Sequence, residues 1–431
     1  MPPGPRSREV SARLDAVECP AFDARRASRA AESASEQAPI VYERAIGANV
    51  IDVDGNRYVD LVGGFGAAAL GHSPPWLSDA IARQSEQLPM ALGDVYASEV
   101  KLALCDRLAQ IYPEPGARVM LGLSGADAIT AALKTAVIAT GRSGVIAFRG
   151  AYHGLSYAPL AACGLNEKFR SPFAEQLGDH VIFESYPRSD DELVKALEGV
   201  KAALKSGKIG AILVEPVLGR GGCVTPPAQF LPALRAACDD AGALLIADEI
   251  WTGLGRSGAM LASVEAGVVP DIICLGKALG AGLPVSACIG SARTMAAWGA
   301  HGGTAIHTAT HFGAPIGCAV ALAALERLSE PELHAAVRAK GDAWRAALAK
   351  ATLGGIATAI NGRGLMVGIT VKGGAAAALS LTRELLRKGY IVLTGGVRGD
   401  TLTLSPPLTI DERLLEAFTH ELSFSASSQD G

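Results

Sequence analysis

The sequence lacks several features that mark particular classes of protein. No stretch of its 431 residues is long and apolar enough to cross a bilayer, and a net charge of −4 offers no electrostatic basis for binding nucleic acid or an anionic membrane. We therefore expect neither of these partners. Charged residues make up 19 % and apolar residues 49 %, a balance typical of a globular chain rather than a disordered one.

Cysteine pairs and targeting signals are also missing. The eight cysteines include no C-x-x-C motif, so we predict reduced thiols and a cytoplasmic protein. Residues 1–38 contain no apolar core of a secretory signal and too many acidic residues for a transit peptide, and we expect a helical or mobile N-terminal arm. His307 and His311 are four residues apart without an evident third ligand, so we predict no metal site.

Helical and strand patterns alternate between about residues 100 and 300. Apolar, β-branched segments predict strands at residues 119–123, 145–148, 209–215, 244–247, 272–275 and 285–289. Helical patterns cover residues 126–139 and 230–241. Strands separated by helices predict an α/β fold with a mostly parallel central sheet that is covered on both faces.

The two ends of the sequence have a different pattern. Alternating apolar residues on either side of Asp54-Gly55-Asn56 predict a hairpin near the start. Two long helices are expected at residues 316–328 and 332–351, and mixed strand and helix patterns follow to residue 425. We predict that this remainder forms a smaller α+β domain.

Several polar residues stand directly after predicted strands, where ligands bind in parallel sheets. They are Ser124, Glu215, Asp248 and Lys277. Lys277 is surrounded by apolar residues and glycine, and desolvation there favours a neutral amine that condenses with an aldehyde to form a Schiff base. Asp248 ends a buried strand, where a carboxylate keeps a pyridine nitrogen protonated. Together these two residues predict pyridoxal phosphate (PLP) as the cofactor.

Three further segments complete this candidate site. Ser124-Gly125-Ala126 joins a strand to a helix, so that backbone N–H groups and the helix N-terminus form a phosphate cradle. Tyr152 follows another strand, where its ring is available to stack on a cofactor, although a single tyrosine is more often part of a core. Glu215 also closes a strand, and such a carboxylate more often serves a local hydrogen-bond network.

These residues belong to a larger set of motifs that resembles one family over nearly the whole chain. The set comprises residues 52–58, Gly71-His72, Ser124-Gly125-Ala126, Tyr152-His153-Gly154, Glu215-Pro216, Asp248-Glu249-Ile250, residues 252–258, the Lys277 segment, residues 307–310, residues 362–366 and residues 405–408. The sequence resembles the class III (subgroup II, omega-amino-acid type) PLP-dependent aminotransferases.

The resemblance implies a fold and an oligomer. We expect fold type I of the PLP-dependent transferases, with a large domain at residues 66–313. Residues 1–65 and 314–431 then form the small domain. The resemblance also implies a homodimer with shared active sites, in which Thr310 reaches the phosphate bound by the neighbouring subunit.

Residue roles follow from the same resemblance. Lys277 forms the Schiff base and then transfers a proton as general base and acid, and Asp248 pairs with the pyridine nitrogen. The remaining cofactor-binding residues are Ser124, Gly125, Ala126, Tyr152, Glu215, Ile250 and Trp251. The expected reaction moves an amino group from an amine or omega-amino acid to a 2-oxo acid or aldehyde.

The sequence departs from the family at the predicted substrate pocket. Relatives of the ornithine and GABA type usually carry Glu at the position of Arg220, Arg at that of Thr403 and Gln at that of Trp251. We hypothesise that Arg220 binds a substrate carboxylate; the alternative is that it points into solvent. Phe65 and Trp251 are further candidates for shaping the pocket.

Two other functions remain open at this point. Class III also contains aminomutases and amino-acid racemases or epimerases, which share Lys277, Asp248 and the phosphate cradle. A different class is suggested by residues 253–258, which match the G-x-G-x-x-G fingerprint of NAD-dependent dehydrogenases. That fingerprint begins directly at a strand end, whereas here residues 248–252 intervene, so this alternative is disfavoured.

Overall fold

The computed structural model describes residues 1–301 and 303–427. The helices are α1 (Pro5–Asp15), α2 (Ala21–Ser33), α3 (Gly63–Gly66), α4 (Pro75–Gln87), α5 (Glu99–Ile111), α6 (Gly125–Thr140), α7 (Tyr157–Ala161), α8 (Ala174–Leu177), α9 (Asp190–Leu204), α10 (Phe230–Ala241), α11 (Ala262–Glu265), α12 (Ala292–Met295), α13 (Pro315–Leu328), α14 (Pro331–Thr352), α15 (Gly374–Arg387) and α16 (Glu412–Ser427). The strands are β1 (Tyr42–Ile46), β2 (Asn49–Asp52), β3 (Arg57–Asp60), β4 (Arg118–Gly122), β5 (Gly144–Phe148), β6 (Val181–Glu184), β7 (Ile209–Val214), β8 (Leu244–Asp248), β9 (Ile272–Leu275), β10 (Ser286–Gly290), β11 (Ala357–Arg363), β12 (Met366–Val371), β13 (Tyr390–Ile391), β14 (Leu393–Gly395) and β15 (Thr401–Leu404).

A seven-stranded sheet forms the centre of the molecule, in the order β4-β10-β9-β8-β7-β5-β6. Neighbours from β9 to β6 run parallel, and β10 is antiparallel to both β4 and β9. The predicted α/β fold with a mostly parallel central sheet is therefore confirmed. The predicted strands and helices of this region are present, with bounds that differ by at most one residue.

Strand β7 shows why the central strands are apolar on both sides. Its side chains alternate between two faces, and all of them are buried. Ile212 and Val214 pack into the cluster that contains Phe230 of α10, whereas Leu213 packs into the cluster that contains Ile129 of α6. Helices on both faces thus exclude water from the strand, as expected for a parallel sheet.

Helix α6 begins and ends at clear capping signals. The Ser124 side chain accepts a hydrogen bond from the backbone N–H of Asp127, whose carboxylate in turn accepts one from the backbone N–H of Ser124. At the other end Gly141 adopts the left-handed conformation (φ 67°) that terminates helices. The Ser124 cap starts α6 immediately after β4.

Strands from the first and last parts of the chain form two smaller sheets. One has the order β1-β2-β3-β13 and the other β11-β12-β15-β14. The predicted hairpin is the antiparallel β2–β3 pair, and β13 joins β3 in parallel, with Tyr390 opposite Val59. Early and late segments thus share one sheet, while the domain boundaries at residues 66 and 313 stay a prediction.

Strand β6 is the element of the central sheet that the sequence patterns do not predict. It lies at the edge of the sheet and pairs only with β5 among the described residues. Ile182 is 38 % exposed, so the strand lacks the continuous apolar run of its central neighbours. An edge strand has one open side, and its sequence signal is correspondingly weaker.

Arg256 ties the central sheet to the C-terminal part of the chain. Its side chain is only 1 % exposed, and Nη1 donates hydrogen bonds to the carbonyl oxygens of Leu365 (3.1 Å) and Pro406 (2.5 Å). The backbone N–H of Leu365 donates in return to the carbonyl of Arg256 (3.1 Å). One buried guanidinium therefore satisfies two carbonyl groups on separate segments.

We expect Arg256→Ala to destabilise the fold, because it leaves two buried carbonyl groups without a donor and opens a void. The apparent melting temperature of the apoprotein should fall by about 5 °C or more, measured by differential scanning calorimetry. The matched control is Arg413→Ala, which removes an exposed arginine. An unchanged melting temperature for Arg256→Ala would show that these hydrogen bonds contribute little to stability.

Candidate active site

The polar residues that follow the strands converge on one cavity of about 500 Å³. It is lined by Ser124, Gly125, Ala126, Tyr152, His153, Gly154, Leu155, Ser156, Glu215, Arg220, Asp248, Ile250, Trp251 and Lys277. The cavity lies at the carboxyl ends of β4, β5, β7, β8 and β9, because each of these strands ends just before one of the lining segments. Its size is within the range of small-molecule and cofactor sites.

Asp248 is a buried and tightly held acid in this cavity. It is the last residue of β8 and only 4 % exposed. One carboxylate oxygen lies 2.7 Å from Nδ1 of His153, and the other accepts the backbone N–H of Ile250 at 3.1 Å. With His153 protonated at Nδ1, both oxygens accept hydrogen bonds, and these bonds fix the orientation of the carboxylate.

His153 lines the same cavity, and the sequence reasoning gave it no role. It stands in the Tyr152-His153-Gly154 motif, which signalled a site without giving this residue a role. Its side chain is buried, and Nε2 has no hydrogen-bond partner among the described residues. The histidine therefore depends on Asp248 for its one polar contact, and it holds the carboxylate in a fixed orientation.

Lys277 lies two residues beyond the end of β9, with a positive φ of 42°. Burial lowers the pKa of its amine, and the neighbouring carboxylates of Asp248 and Glu215 oppose that change. The ammonium nitrogen is 4.8 Å from the centre of the Trp251 ring. A lysine held in a left-handed conformation next to a cavity is strained, and such strain is concentrated at functional sites.

Glu215 fastens two loops of the cavity. One carboxylate oxygen accepts the backbone N–H of Tyr152 (2.8 Å), and the other accepts that of Gly219 (2.9 Å). Burial raises the pKa of Glu215 to about 7, and the charge on nearby Asp248 acts in the same direction. Glu215 thus positions the loop that bears Tyr152 and the loop that bears Arg220.

The N-terminus of α6 forms one wall of the cavity. Gly125 is required there, because a Cβ atom at this position would lie 2.7 Å from Cδ1 of Ile250. The close approach packs Ile250 against the first turn of the helix. The first N–H groups of the helix, including those of Gly125 and Ala126, have no partner within the helix and are available to an anion.

Trp251 is held between two glycines. A Cβ atom on Gly66 would lie 2.5 Å from its Nε1, and one on Gly219 would lie 2.3 Å from its Cε3. The indole is 7 % exposed, and Nε1 has no hydrogen-bond partner among the described residues. Neither glycine can be replaced without moving the tryptophan.

Arg220 lies against the cavity rather than in open solvent. Its guanidinium carbon is 4.5 Å from the centre of the Tyr152 ring, a cation–π contact. Phe65, which is 53 % exposed, and Thr403, which is buried, line a smaller cavity next to the first. Arg220 belongs to the walls of both cavities.

Thr310 is exposed and is not part of the wall of this cavity. His307 packs against the rings of Trp298 and Phe312 instead of facing a cluster of ligands. Within residues 1–301 and 303–427, no group of three or more His, Cys, Asp or Glu side chains is placed to hold a metal ion. No helix in the same part of the chain is both long and apolar enough to span a membrane.

The G-x-G-x-x-G match at residues 253–258 is a structural turn. Arg256 in its middle is buried by the carbonyl groups of Leu365 and Pro406, and a Cβ atom on Gly364 would lie 2.5 Å from the Arg256 carbonyl oxygen. Backbone of the C-terminal segments therefore occupies the space beside the turn. A dinucleotide pyrophosphate has no room there, which removes the physical basis of the dehydrogenase alternative.

Comparison with known proteins gives a consistent result. The family model described as aminotransferase class-III matches residues 30–424. A 5-aminovalerate aminotransferase of Pseudomonas aeruginosa is 34 % identical over 397 residues, covering 88 % of this chain and 91 % of the relative. A 2-aminoadipate transaminase of Pseudomonas putida is 34 % identical over 405 residues, covering 88 % and 93 %. An amine transaminase from an uncultivated Pseudomonas species, solved with PLP bound, superimposes with a TM-score of 0.84 at 30 % identity, covering 90 % of this chain and 95 % of that one.

The residues present fit PLP. One cavity contains an amine with a lowered pKa, a buried carboxylate held by a histidine, and the unpaired N–H groups at the start of a 16-residue helix. These groups match the aldehyde, the ring nitrogen and the phosphate of the cofactor in turn. The unpartnered Nε1 of Trp251 offers one more buried donor.

Glu215 should make the stability of the apoprotein depend on pH. Between its ordinary pKa of 4.5 and about 7, the folded protein holds one more proton at this site than the unfolded chain. The contribution of Glu215 to stability therefore falls as pH rises through this window. Glu215→Gln loses one acceptor and should be less stable at pH 4.5, but the difference from the wild type should shrink toward pH 7.

Thermal unfolding of both apoproteins at several pH values measures that difference. The exposed control Glu416→Gln should follow the wild-type profile. Parallel profiles for the wild type and Glu215→Gln would contradict a raised pKa at Glu215.

Proposed function

The chain belongs to the class III aminotransferase family and uses PLP to transfer amino groups, and we propose that Lys277 and Asp248 are its catalytic residues. The observation that carries this assignment is their meeting in one cavity from the ends of β8 and β9. They are the amine and the carboxylate that PLP chemistry requires.

Lys277 would hold the cofactor by its aldehyde. Because burial lowers the pKa of the amine, a larger share of it is uncharged and nucleophilic near neutral pH. Released from the aldehyde, the same amine is free to move a proton at the substrate carbon as general base and then as general acid. PLP itself supplies an aldehyde that receives the amino group and a ring that withdraws electrons from the breaking C–H bond.

Asp248 would keep the ring nitrogen protonated. Its carboxylate is fixed by Nδ1 of His153 and the N–H of Ile250, so it cannot turn away from the cavity without losing both bonds. In our proposal His153 is a positioning residue, since it acts on the cofactor through Asp248. A charge that is oriented before the reaction needs no rearrangement in the transition state.

The remaining cofactor residues would fix the ring and the phosphate. Ser124, Gly125 and Ala126 supply the helix N-terminus to the phosphate. We propose that Tyr152 stacks on the ring and Ile250 packs on its opposite face, while Trp251 donates its free N–H to the cofactor. Glu215 would support this arrangement by holding the backbone of Tyr152.

We propose an amine or omega-amino acid as the amino donor and a 2-oxo acid or aldehyde as the acceptor. The names of the relatives, among them a 5-aminovalerate aminotransferase and an amine transaminase, support this range. Arg220 is the proposed carboxylate-binding residue at the boundary of the cavity. Phe65 and Thr403 line the adjoining space and would contact the substrate.

We further propose a cytoplasmic homodimer with shared active sites. Reduced cysteines support the location, since the described part of the chain contains free thiols only. Thr310 supports the dimer, because it is exposed and lies outside its own cavity. Its hydroxyl would complete the phosphate site of the neighbouring subunit.

Asp248→Asn should lower kcat/KM for amino transfer by roughly 10²- to 10⁴-fold, because breaking a buried charge pair costs about 3–5 kcal/mol. The amide preserves the shape of the side chain, so PLP occupancy, read from visible absorbance, should change less than turnover. Glu249→Gln is the matched control, since the Glu249 carboxylate bonds Ser263 instead of facing the cavity. Unchanged turnover in Asp248→Asn would remove Asp248 from the mechanism.

Mixed dimers test the role of Thr310. A Lys277→Ala homodimer should be inactive, and a Thr310→Ala homodimer should retain PLP poorly. In the heterodimer of the two variants, one site combines an intact Lys277 with an intact Thr310, so about half of the wild-type activity per dimer should return. Two affinity tags allow the heterodimer to be purified. Activity no higher than that of the Thr310→Ala homodimer would show that Thr310 does not act across subunits.

A further inference from the structure

A second cavity of about 230 Å³ adjoins the proposed cofactor site. Arg220 and Trp251 form part of the walls of both cavities. The remaining lining residues come from helix α2, from α3 and from strands β14 and β15: Phe22, Arg25, Arg26, Arg29, Phe65, Leu393, Thr394, Gly395 and Thr403. The cavity therefore lies where a substrate that reacts at Lys277 extends away from the cofactor.

The second cavity is strongly cationic. Four arginines line it, and no aspartate or glutamate does. Arg26 is already engaged, because its guanidinium forms ion pairs with Asp15 and Asp23. Within residues 1–301 and 303–427, Arg25, Arg29 and Arg220 make no ion pair with a carboxylate of the protein.

The charges of two of the remaining arginines, Arg25 and Arg220, act on the third, Arg29. Burial lowers the pKa of Arg29, the charges of Arg25 and Arg220 lower it further, and the nearby carboxylate of Glu32 opposes that change. Nη2 of Arg29 contacts the Thr394 hydroxyl at 3.4 Å, and Arg220 rests on the Tyr152 ring. Like charges fixed in this way repel each other, and an anion placed between them relieves the repulsion.

The other walls suit a carbon chain with an anionic end. Phe65 and Trp251 present aromatic surface between the cofactor cavity and the arginines. Leu393 adds aliphatic surface, and Thr394 and Thr403 add hydroxyl groups. Apolar walls with a few charged groups at one end are typical of sites that recognise a small amphipathic ligand.

We propose that Arg29, together with Arg25 and Arg220, binds a carboxylate at the end of the substrate remote from the reacting amino group. This inference rests on the proposed function, and it adds the residues of helix α2 that select substrates with a carboxylate several bonds from the reacting carbon. Helix α2 is then a specificity element of the enzyme. Guanidinium groups bind carboxylates through paired hydrogen bonds, which makes arginine the suitable residue.

The test compares two amines of the same length, 5-aminopentanoate and pentylamine, which differ in the distal carboxylate. Wild-type enzyme should have a higher kcat/KM for 5-aminopentanoate than for pentylamine in the amine half-reaction. The loss of the visible absorbance of enzyme-bound PLP monitors this reaction. Arg29→Gln should reduce that preference by about 10- to 100-fold, because a charge-assisted hydrogen bond to the carboxylate is lost. Arg29→Lys keeps the charge without the planar fork and should restore part of the preference.

A binding measurement provides a readout that does not depend on turnover. Adipate, a diacid that lacks an amine, should bind the wild-type holoenzyme in isothermal titration calorimetry, and Arg29→Gln should weaken its Kd about tenfold or more. The matched control is Arg8→Gln, which removes a positive charge from helix α1, where Arg8 pairs with Glu36 and lines neither cavity. This control should change neither the preference nor the Kd.

The outcomes separate this inference from the proposed function. If wild-type enzyme binds PLP but no amino donor discharges its absorbance, the proposed function fails, while the adipate titration still tests the anion site. If Arg29→Gln leaves the preference and the adipate Kd unchanged, the inference is overturned, while the proposed aminotransferase function stands. Equal losses toward both amines, or no adipate binding by the wild type, also overturn it.

Discussion

The site depends on one buried charge at the end of β8. Asp248 has almost no contact with solvent, and a carboxylate in that position is stable only when its oxygens accept hydrogen bonds. His153 and the N–H of Ile250 fill this need. The same contacts orient Asp248 in the cavity that contains Lys277, so one arrangement stabilises the buried carboxylate and, in our proposal, presents it to the ring nitrogen of PLP.

A second buried acid, Glu215, joins the loops around Asp248. Glu215 joins the backbone of Tyr152 to that of Gly219, and the next residue, Arg220, rests on the Tyr152 ring. One buried carboxyl group thus joins the loop on the proposed cofactor side to the loop on the proposed substrate side. Arg256 performs the corresponding task at larger scale, since it connects the turn after β8 to the segments that include Leu365 and Pro406.

In our proposal, the placement of charged side chains sets the substrate specificity of this chain. Thr403 carries no charge, and the unpaired guanidiniums beside it come from Arg220 and from helix α2, far away in sequence. The cofactor half of the site is built from strand ends whose geometry the sheet imposes. The proposed substrate half is built from an N-terminal helix and from strands of a smaller sheet.

The sequence alone determined the class of fold and the cofactor chemistry. Continuous apolar strands between helices occur only where both faces of a sheet are covered, and a desolvated lysine near a strand-end aspartate has few other uses. The sequence did not predict edge strand β6, the contact between His153 and Asp248, or the position of the α2 arginines next to the cavity. Strand β6 has weak patterning. The His153–Asp248 hydrogen bond joins residues 95 positions apart, and Arg29 and Arg220, which line one cavity, are still further apart in sequence, so both arrangements exist only after the chain has folded. Local periodicity records which surfaces are buried, whereas the tertiary structure decides which distant charges meet.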